Sequence, residues 1–277
     1  MTGPVVRLRA TDGAGLAYRD LGRADGPALV LLHSLGADGA MWAPCLPALG
    51  RAHRLLVPDS RGHGASGPAT DTGPDQWVDD LETVLDDAAA DQVVLVGVSL
   101  GGIQALAFAA ARPGRVRALV VADSFVALAP EVAESKTRSL QEQCRTHPMS
   151  QVAAQYLADT FQVPHPPGAA AVGRSIAAMD PDSYAAAVAA CFGVQVTDRL
   201  ARVEAPTLVL WGDRDTKTPR ALSEEIADGV DGAVLRVVPD AGHLSNIDNP
   251  DVFAAAVIGF SAEAGARPAR VRAEGGN

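Results

Sequence analysis

The residue with the clearest potential for chemistry is Ser99, at the centre of Gly97-Val98-Ser99-Leu100-Gly101. An apolar run, Val93–Val96, ends just before this pentapeptide, and a stretch of helical character, Leu100–Arg112, begins inside it. A tight strand-to-helix turn strains its central residue and leaves no room for side chains two positions away on either side. The pattern therefore predicts a serine hydroxyl exposed at the amino end of a helix, where it could act as a nucleophile. A phosphate-binding loop would need a Lys-Ser or Lys-Thr pair, which this turn lacks.

A serine nucleophile needs a general base, and His243 is the best placed of the six histidines. It lies just past the apolar run Val234–Val238, where a loop would overhang the carboxyl edge of a parallel sheet. The chain order Ser, Asp, His is also the order found where such a turn carries the nucleophile. We therefore predict that His243 takes the proton of Ser99.

The base must in turn be oriented by a carboxylate, and three aspartates follow apolar runs. Asp213 and Asp215 both follow Thr207–Trp211, and Asp123 follows the run that ends at Ala122. We expect Asp215 to orient His243. Asp123 is the alternative, because a strand end at that place can also supply the acid. Asp213 is better suited to binding turn amides or pairing with the neighbouring arginine.

Two backbone N–H groups are needed to stabilise the negatively charged oxygen of a tetrahedral intermediate. The N–H of Leu100, directly after the serine, is one candidate, and the N–H of Leu35 in the loop after the third strand is the other. His33, in the same loop, is expected to be structural. The stretch 59–66, Asp-Ser-Arg-Gly-His-Gly-Ala-Ser, is expected to form a hydrogen-bonded turn, since one histidine and one aspartate make a poor metal site.

The elements that would position these groups alternate between strand and helix. A hairpin is predicted from 5–9 and 16–20, followed by strands whose continuous apolar character is typical of parallel strands: Ala28–Leu32, Arg54–Val57, Val93–Val96, Arg117–Ala122, Thr207–Trp211 and Val234–Val238. Helices are predicted at 76–90, 100–112 and 219–230. This rhythm predicts a mostly parallel, doubly wound α/β sheet. Residues 126–196 lack a strand and predict a helical cap between residues 1–125 and 197–262, which form the core.

Composition limits the functional classes. A formal charge of −10 disfavours nucleic acid and anionic membranes as partners. We expect no signal peptide and no membrane span, and three scattered cysteines fit a reducing, cytoplasmic compartment. Residues 263–277 are small, charged and glycine-ended, and we expect a disordered tail. Neither a metal nor another cofactor is predicted, and the oligomeric state stays open.

Several separated motifs, taken together, resemble the α/β-hydrolase superfamily over residues 14–260. They are HSLG (33–36), DSRGHGAS (59–66), GVSLGG (97–102), GDRDTKTP (212–219) and AGHLSNIDNP (241–250). The acid of the G-x-x-D-x-x-x-P pattern corresponds to Asp215, and the histidine of the AGH stretch to His243. The region 33–66 and the AGHLSNI ending are most similar to 3-oxoadipate enol-lactonases. The chain departs from that pattern at the loop pair His33-Ser34 and at Leu100, where methionine is frequent.

The resemblance implies an α/β-hydrolase fold and cofactor-free hydrolysis of a small lactone or carboxylic ester through an acyl-enzyme. Trp42 and Phe125 are expected to shape the substrate pocket. Because an enol-lactone of this kind carries a free carboxylate, its pocket should contain a cation. The cap offers four cations, and we expect each to be a surface-exposed charge, although the sequence does not show their direction: Lys136, Arg138, Arg145 and Arg174. The Ala-rich composition of the cap is also compatible with a neutral, apolar substrate.

Other activities fit the same residues. A C–C bond hydrolase or a perhydrolase would use the same three side chains on a different substrate. A biosynthetic cyclase or lyase would use the pocket for general acid–base chemistry, and a hydrolase-like binding protein would turn over little or no substrate. The sequence favours ester or lactone hydrolysis and leaves the natural substrate open.

Overall fold

A computed structural model describes residues 3–162 and 164–266, and an eight-stranded sheet runs through it. The strands are β1 (Val5–Arg9), β2 (Gly15–Gly22), β3 (Ala28–Leu32), β4 (Arg54–Asp59), β5 (Val93–Val98), β6 (Val116–Ala122), β7 (Thr207–Gly212) and β8 (Val234–Val238). Their order in the sheet is β1-β2-β4-β3-β5-β6-β7-β8. The first two form the predicted antiparallel hairpin, and β3 to β8 are mutually parallel.

Helices connect the parallel strands and cover the sheet. They are α1 (Leu46–Leu49), α2 (Pro74–Asp87), α3 (Leu100–Ala111), α4 (Pro130–Thr146), α5 (Met149–Thr160), α6 (Ala169–Ala178), α7 (Pro181–Phe192), α8 (Arg220–Gly229), α9 (Ser245–Asp248) and α10 (Pro250–Ala266). This arrangement confirms the predicted α/β-hydrolase fold. The parallel strands all end at one edge of the sheet, so the loops after β3, β5, β6, β7 and β8 meet there.

The centre of the sheet is the best packed part of the molecule. All six residues of β5 are buried, and so are ten residues of α3, the helix that follows it. Continuous Val and Leu residues suit a strand that is covered on both faces. The edge strand β8 has the same apolar character but a different environment, since Val234 is 45% exposed and Val237 is 43% exposed.

Four helices, α4 to α7, lie between β6 and β7, and we call them the helical insertion. Within it, α4 packs on α7 and α5 packs on α6. A short antiparallel bridge between Ala127 and Gln195 joins the two chain segments that lead into and out of the insertion. All four helices fall within residues 126–196, for which the sequence predicts a helical segment without a strand.

The carboxyl-terminal helix differs from the prediction. The expected disordered tail began at residue 263, but α10 continues to Ala266, with Phe260 and Ala264 buried. An apolar stripe on this helix packs against the core. The small residues after position 262 did not indicate from the sequence that the helix would continue. The rest of the expected tail, residues 267–277, lies outside the described residues. Among the helices that the structure describes, none is both long and apolar enough to cross a membrane.

Candidate active site

The turn around Ser99 has the geometry that the glycines predict. Ser99 has φ 55° and ψ −118°, a combination of backbone angles that residues other than glycine rarely adopt. A Cβ atom on Gly97 would lie 2.1 Å from the carbonyl oxygen of Gly101, and one on Gly101 would lie 2.2 Å from that of Leu32. Any side chain at these two positions would therefore separate α3 from the strands beside it. The contact presents Ser99 at the carboxyl edge of the sheet.

Three side chains from three loops form one hydrogen-bonded series at this edge. The Oγ atom of Ser99 lies 3.1 Å from Nε2 of His243, and Nδ1 of His243 lies 3.0 Å from Oδ2 of Asp215. The loops follow β5, β8 and β7, so residues distant in the sequence are brought together by the parallel sheet. Both contacts fall within the range in which an imidazole can take a hydroxyl proton while a carboxylate fixes its tautomer.

Asp215 is held as an ionised acceptor. Its Oδ1 atom accepts hydrogen bonds from the backbone N–H of Lys217 at 2.8 Å and of Thr218 at 3.0 Å, and the Thr218 hydroxyl donates to Oδ2. Burial raises the pKa of Asp215, but hydrogen bonds from His243 and Thr218 outweigh it and hold the pKa below its ordinary value. Asp215 can therefore stabilise a charged imidazole without taking its proton.

The two alternative aspartates serve other partners. Asp123 accepts from Gly212 N at 2.8 Å and from both the N–H and the hydroxyl of Ser245. Burial, with the charge of Asp215 nearby, raises the pKa of Asp123, while the hydrogen bonds from Ser245 and Gly212 lower it by favouring the ionised form. Asp213 accepts from the backbone N–H of Ala241 at 3.3 Å. Of the three candidates, only Asp215 contacts His243.

The two predicted N–H donors flank the serine. Leu100 is the first residue of α3, so its N–H has no partner within the helix. Leu35 lines the same cavity as Ser99 and His243, and no acceptor for its N–H exists among the residues that the structure describes. A carbonyl oxygen at this place could accept from both groups.

Two buried histidines hold the loop that carries Leu35. Nε2 of His33 accepts from Ser60 N at 2.8 Å, and Nε2 of His63 accepts from Gly36 N at 3.1 Å. Each Nδ1 faces a carbonyl oxygen, Ser34 O at 2.9 Å and Arg61 O at 2.9 Å, so each ring is a neutral donor at Nδ1. These contacts agree with the structural role predicted for His33 and for the turn at 59–66.

A cavity of about 350 Å³ opens above Ser99 and His243, which is within the size range of small-molecule sites. The helical insertion supplies most of its wall. Phe125 lines the cavity as predicted and stacks on Phe192, with ring centroids 6.2 Å apart. Trp42 is not among the lining residues, contrary to the sequence-based expectation. Its side chain is fully buried in the core and packs on Phe253, because the loop after β3 turns inward there.

Two lysines face this cavity, Lys136 from α4 and Lys217 from the loop after β7. The Nζ atom of Lys136 lies 5.7 Å from the ring centroid of Phe192, and that of Lys217 lies 5.1 Å from the centroid of Tyr156. In the part of the chain that the structure describes, neither ammonium group has an ion pair within 4.0 Å. Burial lowers the pKa of Lys217, to which Lys136 adds repulsion, while Asp159 partly offsets both.

The other cations of the insertion do not line the cavity. Arg138 pairs with Glu134 along α4, and it lies with Arg145 beside a separate surface depression. Arg174 borders a third depression near the turn at 62–68. Of the four candidates, Lys136 alone lines the cavity that Ser99 lines, contrary to the expectation of a surface-exposed charge. Lys217 was missed by the sequence reasoning, although its position two residues after Asp215 was a usable signal. Within the described residues no cluster of metal-ligating side chains occurs.

Comparison with known proteins gives consistent matches along the chain. A family model described as the alpha/beta hydrolase fold matches residues 27–250. A 3-oxoadipate enol-lactonase from Acinetobacter baylyi is 30% identical over 255 residues, covering 90% of this chain and 94% of the relative. A protein from Variovorax paradoxus assigned as the carbamate hydrolase RutD is 30% identical over 262 residues, covering 91% of this chain and 97% of the relative.

A solved structure agrees with these matches. The enol-lactonase from Burkholderia xenovorans LB400 superposes with a TM-score of 0.85 at 27% identity, covering 93% of this chain and 100% of that chain. The similarity therefore includes the sheet, the loops that carry the site and the helical insertion.

The hydrogen-bonded series predicts an activated serine. We expect a fluorophosphonate probe to modify Ser99, and His243→Ala to lower the labelling rate by at least about 10³-fold, because the hydroxyl then loses its proton acceptor. The time course is measured by intact-protein mass spectrometry. His147→Ala, which removes an exposed histidine away from the cavity, should label at the wild-type rate. Equal labelling in His243→Ala would show that this histidine is not the base.

Burial of His63 predicts a pH-dependent stability. Burial and the neighbouring His33 lower the pKa of His63 from 6.5 to about 3, so the unfolded chain binds one more proton between these values. The contribution is complete above pH 6.5 and is lost as the pH falls. From pH 7 to pH 5, His63 should remove about 2 kcal/mol from the free energy of unfolding.

Urea titrations at the two pH values test this contribution. His63→Gln should be less stable at pH 7, because a buried hydrogen bond is lost, but its stability should fall about 2 kcal/mol less on acidification. His147→Gln, at an exposed site, should keep the wild-type dependence. An unchanged dependence in His63→Gln would mean that the folded protein accepts a proton on this ring.

Proposed function

The chain belongs to the α/β-hydrolase family, and we propose that it hydrolyses a small lactone or carboxylic ester through an acyl-enzyme on Ser99. His243 is the general base and Asp215 orients it. The observation that carries this proposal is the Ser99–His243–Asp215 series, two members of which, Ser99 and His243, line a cavity of about 350 Å³. The full-length similarity to enol-lactonases supports it.

Each proton in the proposed reaction passes through His243. The Oγ atom of Ser99 attacks the carbonyl carbon while Nε2 of His243 takes the hydroxyl proton. The carbon–oxygen bond of the ester or lactone then breaks, and His243 returns the proton to the leaving oxygen. With an enol-lactone the product of this step is an enol, which converts to the ketone. Water then gives a proton to His243 and attacks the acyl carbon, and His243 returns that proton to the Oγ atom of Ser99 as the acyl–oxygen bond breaks.

Negative charge on the carbonyl oxygen is stabilised by the N–H groups of Leu35 and Leu100. Loss of one such donor typically lowers turnover by about 10²–10³-fold. The hydrogen bonds made by His33 and His63 to the surrounding backbone keep the Leu35 loop in place before substrate arrives.

The substrate we propose carries a carboxylate, and 3-oxoadipate enol-lactone is the foremost candidate. Lys136 and Lys217 are two ammonium groups without ion-pair partners in the described part of the chain, and both face the cavity. Burial disfavours the charged form of Lys217, so a carboxylate that pairs with its ammonium group should bind favourably there. The charge of −10 on the whole chain makes these local cations more important, since it opposes the approach of an anion.

The other activities remain as alternatives that the same assays separate. A carbamate, a C–C bond or peroxide with a carboxylic acid would use the same three residues. Turnover without Ser99 but not without His243 would favour a cyclase or lyase. Labelling of Ser99 without turnover of any ester would favour a binding protein.

The acyl-enzyme mechanism predicts the effect of Ser99→Ala. We expect loss of at least about 10⁴-fold in kcat for any lactone or ester that the wild type hydrolyses, because no nucleophile remains. The thermal midpoint should change little, since the hydroxyl bonds only to His243 among the described residues. The measurement is steady-state turnover with a parallel thermal melt. Retained turnover in a folded variant would reject the mechanism.

The two lysines predict a preference for an anionic substrate. The neutral α-angelica lactone has the same ring as 3-oxoadipate enol-lactone, with a methyl in place of the carboxymethyl group. Lys217→Met should lower kcat/KM for the enol-lactone by about 10–100-fold, the usual worth of a hydrogen bond to a charged group. Lys136→Met should act in the same direction.

Both lysine variants should change kcat/KM for α-angelica lactone by less than about threefold, since no charge is lost there. Arg138→Met is the matched control, because it removes a cation from α4 that does not line the cavity. Equal losses on both lactones would show that the lysines shape the cavity without binding a carboxylate.

A further inference from the structure

The segment Ala122-Asp123-Ser124, directly after β6, contacts all three loops of the site, and we call it the strand-end clamp. Its outer residues hold the loop that carries the nucleophile. The backbone N–H of Ser99 donates to the carbonyl oxygen of Ala122 at 2.9 Å. The Ser124 hydroxyl donates to the carbonyl oxygen of Ser99 at 2.7 Å. The backbone of the nucleophile is therefore fixed on both sides of its Cα atom.

The middle residue of the clamp holds the other two loops. Oδ1 of Asp123 accepts from the N–H of Gly212, three residues before the proposed acid, at 2.8 Å. Oδ2 accepts from the N–H of Ser245 at 3.1 Å and from its hydroxyl at 2.5 Å, two residues after the proposed base. One carboxylate thus joins the loop of Asp215 to the loop of His243.

The backbone of Asp123 is in a strained conformation, which indicates that the surrounding contacts hold this residue in place. The residue has φ 49°, in the left-handed region, which costs a non-glycine residue about 1–3 kcal/mol. It is completely buried, and its N–H donates to the carbonyl oxygen of Leu210 at 3.0 Å. The strained backbone turns the carboxylate away from the cavity and toward the two loops, so Asp123 does not line the cavity.

We infer that Asp123 is a positioning residue, which sets the contact between Asp215 and His243 by tying their loops together. The inference rests on the proposed function, because it assigns Asp123 a role in that site. Asp123 does not contact His243 or the cavity, so it acts through the two residues that do. An asparagine in its place can accept with one oxygen only, and its NH₂ group would face the N–H of either Gly212 or Ser245.

The expected effect of Asp123→Asn is a loss of turnover without a loss of binding. We expect kcat for the enol-lactone and for α-angelica lactone to fall by about 10–100-fold, with KM within about twofold. Fluorophosphonate labelling of Ser99 should slow to a similar extent. The downfield proton resonance of the His243 Nδ1–H, which reports its bond to Asp215, should move upfield or broaden.

Two variants keep this test decisive. Asp180→Asn is the matched control, since that carboxylate accepts from the N–H and the hydroxyl of one serine, Ser183, within the helical insertion and should leave labelling and the resonance unchanged. Ser245→Ala removes a single bond to Asp123 and should give a smaller loss in the same direction, about 3–10-fold in kcat. If Asp123→Asn does not fold, Ser245→Ala carries the test.

The outcomes separate the two levels of inference. A wild-type protein that labels at Ser99 but hydrolyses no lactone or ester contradicts the proposed function, while labelling and the resonance still test the clamp. Wild-type labelling and an unshifted resonance in folded Asp123→Asn, or in Ser245→Ala where the former does not fold, would overturn the positioning role. Asp123 would then serve stability alone.

Discussion

The site depends on a close contact between the backbone of α3 and the backbone of β3, which is possible only where α3 has a glycine. A Cβ atom on Gly101 would lie 2.2 Å from the carbonyl oxygen of Leu32, so the first turn of α3 can rest on the end of β3 only because that side chain is absent. The same contact fixes two parts of the site together. It sets the strained turn at Ser99, and it places α3 beside the loop 33–36 that follows β3. The absence of a side chain at position 101 therefore allows the nucleophile and both N–H donors to lie close together.

Electrostatics in the site follows from which groups are kept neutral. His33 and His63 are buried with their Nε2 atoms accepting backbone N–H groups, an arrangement that a protonated ring could not make. Asp215 is kept ionised by donors that surround it. Lys136 and Lys217 therefore supply the positive charge at the cavity wall, with Asp159 partly opposing it. The protein has a strongly negative charge, yet these two lysines, which have no ion-pair partner among the described residues, line the same cavity. Stability alone does not explain that placement.

Sequence reasoning succeeded where short-range chemistry determines the outcome. The apolar runs predicted β3 and β8 with the bounds that the structure has. The order of the motifs predicted that Ser99, Asp215 and His243 would lie at one edge of the sheet. It failed where the answer depends on packing between distant segments. Trp42 was expected in the pocket but packs on Phe253, a residue 211 positions later in the sequence. The direction of Lys136 depends on how α4 lies over the sheet, and no local pattern encodes that.

The structure also divides the site into a part that tolerates little change and a part that tolerates much. The serine turn, the strand-end clamp and the Leu35 loop are fixed by buried backbone contacts, where added atoms would clash. The wall of the cavity comes mainly from side chains of the helical insertion, most of them half-buried or exposed and none of them in a strand of the sheet. The chain is similar to both an enol-lactonase and a protein assigned as a carbamate hydrolase, and this division accounts for such a pair. We therefore expect the reaction chemistry to be determined at the sheet edge, and the choice of substrate to be determined by the insertion and by position 217.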